Sequence, residues 1–279
     1  MNTNQLPNAF IKDKLQAVSV HLYQNAEGIS KQQVVLNQHA FSFLRAGKKE
    51  VYFDNSAQLI SNDSFLIMKS GHCLMTEKLP VSAKNYESVL LFFSNDFLAR
   101  FLSEQKLNTN HRVNTHSVSA VCYDEYINLF VEGLMQLDRS NLAHKRALLE
   151  NKCAEILLYL IEKIGAHFFQ GLLNDTADEV LRFKQTIETN KLNKLRLKEL
   201  AFLCNMSIST FKRTFEKHYG ESPVKWFINK RLDHAHHLIH HEQRRPSDVY
   251  FEVGYENLSS FIQAYKLKFG KTPKQDIDR

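Results

Sequence analysis

The sequence predicts an α+β protein of more than one domain, with an antiparallel β barrel at its N-terminal end and an all-α domain at its C-terminal end. Short apolar segments divided by Gly, Asn, Asp and Ser run from about Val18 to Phe93, which is typical of strands. From Tyr123 onwards, apolar side chains recur at helical spacing. The last hundred residues contain a pattern that repeats after fifty positions, which indicates two copies of one helical unit.

Six segments of the N-terminal part have the length and the β-branched and aromatic content of strands. Strands at this spacing are typical of a small antiparallel barrel or of a sandwich, and we predict the barrel. Residues 66–78 have a glycine between apolar flanks and are expected at the rim of that barrel. The six segments are 17–23, 32–36, 40–47, 49–55, 58–68 and 88–93.

Two amphipathic helices are predicted within residues 119–170. Because their apolar stripes exceed what a lone helical hairpin can cover, the helices either form a dimer interface or cap the barrel, and both interpretations stay open here. We therefore predict a barrel domain over 1–118, a helical dimerisation region over 119–170, a polar linker over 171–180 and a helical domain over 181–279. The stripes comprise Tyr126, Leu129, Phe130, Leu134 and Leu137 in one helix, and Leu149, Cys153, Ile156, Leu157, Leu160 and Ile164 in the next.

The C-terminal repeat aligns residues 207–223 with residues 257–273. The polar residue that opens each copy, Ser207 or Asn257, is expected to cap a helix, and the two aromatic residues that follow predict one buried stripe. A glycine is expected to end each helix with a positive φ, and a proline to open the next helix. Phe211, Phe215, Gly220 and Pro223 recur as Phe261, Tyr265, Gly270 and Pro273.

A shorter helix is predicted before each capped helix, within 196–206 and within 247–256. A short helix, a tight turn and a capped second helix form a helix-turn-helix motif. Residues 223–242 place their apolar side chains on one face of a single connecting helix, which at about 1.5 Å per residue is roughly 28 Å long. Such a spacer can hold the two capped helices about 34 Å apart, which is one turn of duplex DNA.

The net charge of +6 is concentrated in the same segment. Residues 181–279 contain 19 Lys and Arg against 11 Asp and Glu, whereas residues 1–180 contain 17 against 19. Such an excess is expected where phosphates are bound, and it is equally typical of a solvated surface. No apolar run approaches the ~20 residues of a membrane span and no signal peptide is apparent, so we expect a cytoplasmic protein.

The segment from about Leu197 to Pro273 resembles the DNA-binding domain of the AraC family of bacterial regulators. This resemblance covers about a quarter of the chain. The sequence departs from the family pattern at Tyr250, where a small Ala is usual, and at Lys274-Gln275-Asp276, which replaces the usual Tyr-Arg ending. The shared features are Leu200-Ala201, Ser207-x-x-x-Phe211-x-x-x-Phe215, Gly220-x-x-Pro223, Arg231-Leu232-x-x-Ala235, Gly254-Tyr255, Ser259-x-Phe261 and Gly270-x-x-Pro273.

The resemblance implies a sequence-specific regulator of transcription, more often an activator than a repressor, that contacts RNA polymerase at promoter DNA. On the capped helices, the face opposite the aromatic stripe is expected to read DNA, and Leu258 and Ile262 are expected to be exposed there. Arg213 is expected to pair with guanine and Gln263 with adenine; the alternative for Lys212 and Arg213 is phosphate contact. The implied base-contacting residues are Ser209, Lys212, Arg213, Leu258, Ser259 and Gln263, and the expected phosphate-contacting residues are Ser207, Lys225, Lys230, Asn257, Lys266, Lys268 and Lys271.

The N-terminal strands resemble the cupin-like barrel that often precedes this DNA-binding domain. A small-molecule effector or a regulatory protein is expected to act on it, and the whole protein is expected to form a homodimer. Phe43, Tyr52, Met68 and Met75 are candidates to line an effector pocket, and an ordinary packed core is the alternative for each of them.

The alternative function is an enzyme or ligand carrier built on the barrel with a DNA-binding appendage. We do not expect an enzyme, because the sequence lacks a glycine-rich phosphate loop, a nucleophile triad and the close histidine pair of a metal-dependent cupin. His237 and His241 have the spacing of two metal ligands without an evident third, so neither a metal nor a cofactor is predicted. The four scattered cysteines favour reduced thiols over a disulfide framework.

Overall fold

The computed structural model describes residues 3–10, 16–79, 85–107, 116–173 and 179–277. The chain divides into two compact units, Met1–Phe183 and Lys184–Arg279. The strands are β1 (Asn4–Leu6), β2 (Val18–Asn25), β3 (Ile29–Leu36), β4 (His39–Ala46), β5 (Lys48–Tyr52), β6 (Ala57–Ile60), β7 (Ser64–Met68), β8 (Gly71–Lys78), β9 (Tyr86–Phe93) and β10 (Val118–Cys122). The helices are α1 (Asn95–Glu104), α2 (Glu125–Arg139), α3 (Lys145–Ile164), α4 (Ala166–Leu173), α5 (Glu179–Asn190), α6 (Leu197–Leu203), α7 (Ile208–Tyr219), α8 (Pro223–His240), α9 (Pro246–Glu252), α10 (Leu258–Phe269) and α11 (Pro273–Ile277).

The strands of the first unit form two five-stranded sheets. The strand order is β1-β3-β8-β5-β6 in the first sheet and β10-β7-β4-β9-β2 in the second. The strands pair in antiparallel fashion, except that β1 runs parallel to β3 with Leu6 opposite Leu36. The facing surfaces of the two sheets share one apolar core, to which Val34 and Val51 contribute from the first sheet and Leu66 and Leu90 from the second.

The second sheet is buried on both of its faces. Along β4, Ala40 and Leu44 belong to the core between the sheets, whereas Phe41 and Phe43 belong to a separate core shared with α1 to α4. Strands that are buried on both sides read as continuous apolar runs, because neither face has to carry polar side chains. The second sheet is therefore the middle layer of three, between the first sheet and the helices.

The predicted barrel is not closed, because the described strands form two separate five-stranded sheets, and the resemblance to a cupin stays a prediction. The physical reason lies in β4 and β9, which need apolar cover on both sides. Side chains alternate between the two sides of these strands as they do in a barrel wall, but here both sides are apolar, so an outer face left in water would expose side chains such as Phe41 and Phe43. The predicted strand 58–68 is divided into β6 and β7, and the predicted rim, 66–78, is the end of β7 followed by β8.

The helical region 119–170 lies against the second sheet. Phe130, Leu134 and Ile156, three members of the predicted stripes, are buried in the core that these helices share with the sheet. The side chain of Leu129 is on the outside and is 68% exposed. Dimerisation through this region stays a prediction, and exposed apolar side chains such as Leu129 and Leu158 are available on the surface of these helices for it.

The predicted linker 171–180 is only partly described. Residues 171–173 end α4 and residues 179–180 begin α5, while residues 174–178 lie outside the described residues. No described helix is by itself long and apolar enough to cross a membrane. Only α3 and α4 taken together, with a bend of 118° between them, have the required length and composition.

Candidate nucleic-acid interface and effector cavity

The second unit contains the two helix-turn-helix motifs that the repeat predicts: α6 with α7, and α9 with α10. Each second helix begins at a capped residue, since Ser207 Oγ accepts a hydrogen bond from Thr210 N at 3.1 Å and Asn257 Oδ1 accepts one from Ser260 N at 2.8 Å. Each ends at a glycine with positive φ, 71° at Gly220 and 76° at the equivalent residue of the second motif, Gly270. These caps fix both ends of α7 and α10.

The aromatic stripe of α7 is buried. Phe211 and Phe215 are fully buried, and the Phe215 ring lies 5.6 Å from the ring of Trp226 and 5.8 Å from that of Phe227. Trp226 and Phe227 belong to the first half of α8, so the connecting helix forms part of the core of the first motif. Burial of this stripe determines which face of α7 points outwards.

The second motif repeats this arrangement on the other half of α8. Phe261 and Tyr265 of α10 are fully buried in a core that also contains Leu232 of α8 and Val249 of α9. Tyr250, which departs from the family pattern, packs half-buried against the same core. The larger side chain is therefore accommodated within the second motif.

Five of the six residues predicted to contact bases are exposed on the faces opposite these stripes: Ser209, Lys212 and Arg213 on α7, and Ser259 and Gln263 on α10. The sixth, Leu258, is half-buried and packs against the core of the second motif together with Ile262. Leu258 and Ile262 are less exposed than the sequence analysis expects, because both are half-buried beside the aromatic stripe of α10.

The residues predicted to contact phosphates differ in their exposure to solvent and in their contacts within the chain. Ser207, Asn257 and Lys266 are exposed, and Lys225 is exposed with Glu221 3.7 Å away. Lys230 is half-buried over the Trp226 ring, 5.2 Å from its centre.

Lys268 and Lys271 have partners within the chain. Lys268 Nζ lies 2.7 Å from Asp233 Oδ1 and donates a hydrogen bond to the backbone oxygen of Asn229 at 2.6 Å. Lys271 Nζ contacts the carboxylate of Asp276. Contact with a phosphate would compete with these ion pairs, so the exposed Lys266 is the better candidate, followed by Lys225, whose distance to Glu221 is longer at 3.7 Å.

A cluster that the sequence pattern did not reveal lies beneath α10. His236 and His240 are neighbours on one side of α8, and both face the fully buried carboxylate of Asp276 in α11. The sequence analysis considered His237 and His241 instead, which are exposed. The available signal was Asp276 itself, an acidic residue in the segment 274–276 that departs from the family pattern.

A cavity of about 60 Å³ lies between the two sheets of the first unit. Met68 and Met75, two of the predicted pocket residues, line it. Phe43 points to the opposite side of the second sheet, towards Phe130, and Tyr52 is not part of the lining. The structure therefore brings together two of the four predicted residues.

The cavity also carries a buried charged pair that the sequence analysis did not identify. Lys49 and Glu77 line it with their charged groups 3.7 Å apart, and Lys49 donates a hydrogen bond to Ser42 Oγ at 3.1 Å. Burial lowers the pKa of the Lys49 ammonium, and the nearby Glu77 carboxylate opposes this shift. Glu77 Oε2 is buried without a hydrogen-bond partner, so the wall offers an unused acceptor.

Two family models match the chain. The ExsA N-terminal regulatory domain matches residues 39–171, and a helix-turn-helix domain matches residues 200–279. The first match covers β4 to α4, including most strands of both sheets, and the second begins in α6 and covers both helix-turn-helix motifs.

Several curated proteins and solved structures are similar to this chain. The virulence regulon transcriptional activator VirF of Yersinia enterocolitica is 33% identical over 122 residues, which cover 43% of this chain and 44% of that protein. The HTH-type transcriptional regulator ExsA of Pseudomonas aeruginosa is 32% identical over 120 residues, 43% of each chain. The chain thus spans less than half the length of these relatives. The structure of ToxT from Vibrio cholerae aligns with a TM-score of 0.40 at 12% identity, over 94% of this chain and 98% of that one.

Proposed function

Because this chain belongs to the AraC family of bacterial regulators, we propose that it binds promoter DNA through its second unit and activates transcription under the control of its first unit. The observation that carries this proposal is the repeated orientation of α7 and α10. Each helix buries its aromatic stripe and leaves Arg213 or Gln263 exposed on the opposite face, as a recognition helix requires. The similarity to VirF, a transcriptional activator, supports activation as the direction of the effect, and the similarity to the transcriptional regulator ExsA supports a role in transcription.

Selection from randomised DNA duplexes tests this proposal. Arg213→Ala should cost about 1–3 kcal/mol on the preferred site and relax the preference at one or two base pairs, because a bidentate contact with guanine is lost. Gln263→Ala should relax the preference about ten base pairs away, since the two recognition helices are expected one DNA turn apart. Lys266→Ala is the comparison, and it should weaken all sequences alike.

The result that contradicts base reading is specific. If Arg213→Ala and Lys266→Ala gave the same uniform loss and left the selected sequence unchanged, α7 would contact only the DNA backbone. Absence of binding to any duplex by the intact protein would remove the proposed function altogether.

We further propose that a small apolar molecule with one hydrogen-bond donor occupies the cavity between the sheets. Met68 and Met75 supply polarisable apolar walls, and Glu77 Oε2 supplies the buried acceptor without a partner. A ligand that donates a hydrogen bond there removes the cost of leaving this acceptor unsatisfied.

Two small rings of similar size, chosen to suit a cavity of about 60 Å³, distinguish this from non-specific apolar binding. Pyrrole has one N–H donor and thiophene has none, so pyrrole should raise the melting temperature of the protein more than thiophene does. Met75→Phe fills the cavity and should abolish both shifts. If neither compound stabilises the wild-type chain, a regulatory protein becomes the better candidate for control of the first unit.

The remaining partners follow from this role. An activator at a promoter contacts RNA polymerase, and a homodimer would place two copies on one operator. Promoter DNA and RNA polymerase lie in the bacterial cytoplasm, so the proposed location is cytoplasmic.

A further inference from the structure

We propose that His236, His240 and Asp276 form a binding site for a single transition-metal ion, and that this ion is Zn²⁺. His236 and His240 belong to α8, and Asp276 belongs to α11. His240 and Asp276 are 36 positions apart in the sequence, and the two helices come together next to Tyr265 of α10. This site lies apart from the exposed faces of α7 and α10, so it does not depend on the proposed DNA contacts.

The ligand atoms already lie close together. Asp276 Oδ2 is 3.1 Å from His236 Nδ1 and 2.9 Å from His240 Nε2, and all three ligand atoms lie within 4.8 Å of one another. Tetrahedral zinc with bonds of about 2.0–2.2 Å holds its ligand atoms roughly 3.3 Å apart. The two separations to Asp276 therefore fit a shared ion after small side-chain rotations.

His240 Nε2 is buried and has the Asp276 carboxylate as its neighbour, 2.9 Å away. An imidazole nitrogen and a carboxylate oxygen are both ligands of Zn²⁺. An ion bound between them would replace this direct contact by two coordinate bonds.

The surroundings supply a supporting contact at the carboxylate. The hydroxyl of Tyr265 donates a hydrogen bond to Asp276 Oδ2 at 2.6 Å, and a hydrogen bond of this kind orients a metal ligand. The same hydroxyl lies 2.7 Å from His236 Nδ1, and it has to give up that contact when this nitrogen binds the ion. Lys271 contacts the other carboxylate oxygen and is partly exposed, so it can stay there or move away when the ion binds.

The ligand set selects the class of metal. Two imidazoles and one carboxylate suit Zn²⁺ and its first-row neighbours, whereas Mg²⁺ and Ca²⁺ prefer oxygen ligands alone. Three protein ligands leave a fourth position for water. The bound ion would tie α11 to α8 and so hold the C-terminal end of the chain against Tyr265, which belongs to the stripe of the second recognition helix.

Metal titration of the full chain, purified without a histidine tag, tests the site. We expect one Zn²⁺ per chain by calorimetry, and a visible absorption spectrum of low-symmetry four-coordinate Co²⁺ when Co²⁺ is used as the probe. Zn²⁺ should also raise the melting temperature of the wild-type protein.

The chain offers a matched control on the same helix. His240→Gln should lower the Zn²⁺ affinity at least tenfold and remove the thermal shift, and Asp276→Asn should do the same. The double variant His237→Gln with His241→Gln removes an exposed pair of the same spacing, whose ring centres are 4.8 Å apart, and should leave both measurements unchanged.

Either of two results overturns the proposal. The first is a wild-type chain that takes up no Zn²⁺ or Co²⁺ at micromolar concentration, which would leave the cluster as a hydrogen-bonded ion-pair network. The second is a metal affinity that is lost in the His237/His241 variant and retained in His240→Gln. If the buried Asp276→Asn change prevents folding, the His240→Gln result decides alone, because that side chain is partly exposed.

Discussion

At the scale of single residues, Asp124 makes several contacts at once at the start of α2. Its Oδ1 accepts a hydrogen bond from the backbone of Ile127 at 2.9 Å, and its Oδ2 accepts one from the Tyr159 hydroxyl at 2.6 Å. The Lys163 ammonium contacts the same Oδ2. Burial alone would raise the pKa of Asp124, but the contacts with Lys163, Tyr159 and the backbone lower it to about 2.

We therefore expect Asp124→Asn to make the stability of the protein less dependent on acid pH. Because the pKa in the folded state lies below the ordinary value of 3.8, the contribution of the charged group is complete above that pH and is lost as the pH falls towards 2. Asparagine still caps a helix, so the variant isolates the charge from the cap. Urea unfolding at a series of pH values should show the two proteins converging between pH 4 and 2, and a constant difference over that range would contradict this account.

The residues that could be read from the sequence are those whose roles are local. Ser207 and Gly220 lie at the two ends of one helix, and a cap needs only its own few neighbours in the chain, so both were identified correctly. The partners of His236 could not be read in this way, since Asp276 approaches it only after α11 folds back on α8. The spacing of four residues is the same for His237 and His241 as for His236 and His240. The two pairs differ in burial, because only His236 and His240 are on the side of α8 that packs against the rest of the unit.

At the scale of secondary-structure elements, we propose the outer surface of α2, where Leu129 is 68% exposed, as the place where a second copy of the chain binds. Leu129→Glu should weaken self-association at least tenfold, because a charge would be buried in an apolar interface. Leu59→Glu is the control, since Leu59 in β6 is 61% exposed and lies in the other layer of the first unit. Sedimentation equilibrium of the full chain measures both variants, and equal effects, or a wild-type monomer, would exclude α2 as the interface.

The position of an element in the fold could be predicted from the sequence where only one of its faces is apolar. It was ambiguous where both faces are apolar. The stripes of α7 and α10 recur every three to four residues, so both helices follow from the pattern. The runs in β4 and β9 identify strands, but a doubly buried run does not show which layer covers each side. The difference between a closed barrel and a sandwich covered by helices depends on that choice.

At the scale of the whole molecule, the two compact units have separate cores. We expect residues 184–279 alone to bind duplex DNA and residues 1–173 alone not to bind it. Because binding releases counterions from phosphates, a protein with 6–10 phosphate contacts loses about 10³- to 10⁵-fold in affinity between 50 and 200 mM salt. Fluorescence anisotropy over that range checks the prediction, and salt-sensitive binding by the N-terminal fragment alone would reverse the assignment.

Because α8 is one continuous helix, it fixes the rotation of the second recognition helix relative to the first, and therefore the spacing of the two half-sites that the protein can bind together. Trp226 in the first half of α8 packs on Phe215 in the core of the first motif, and Leu232 in the second half belongs to the core of the second motif. The helix therefore acts as a rigid connection between the DNA-facing surfaces of α7 and α10. One alanine inserted after Asn229 would turn the second surface by about 100° and advance it by about 1.5 Å. The altered protein should still bind a single half-site in a gel-shift assay but lose the gain from two adjacent half-sites. Four inserted residues, which return the rotation to within about 40°, should recover part of that gain, so promoters of this regulator should tolerate changes of sequence between half-sites better than changes of length.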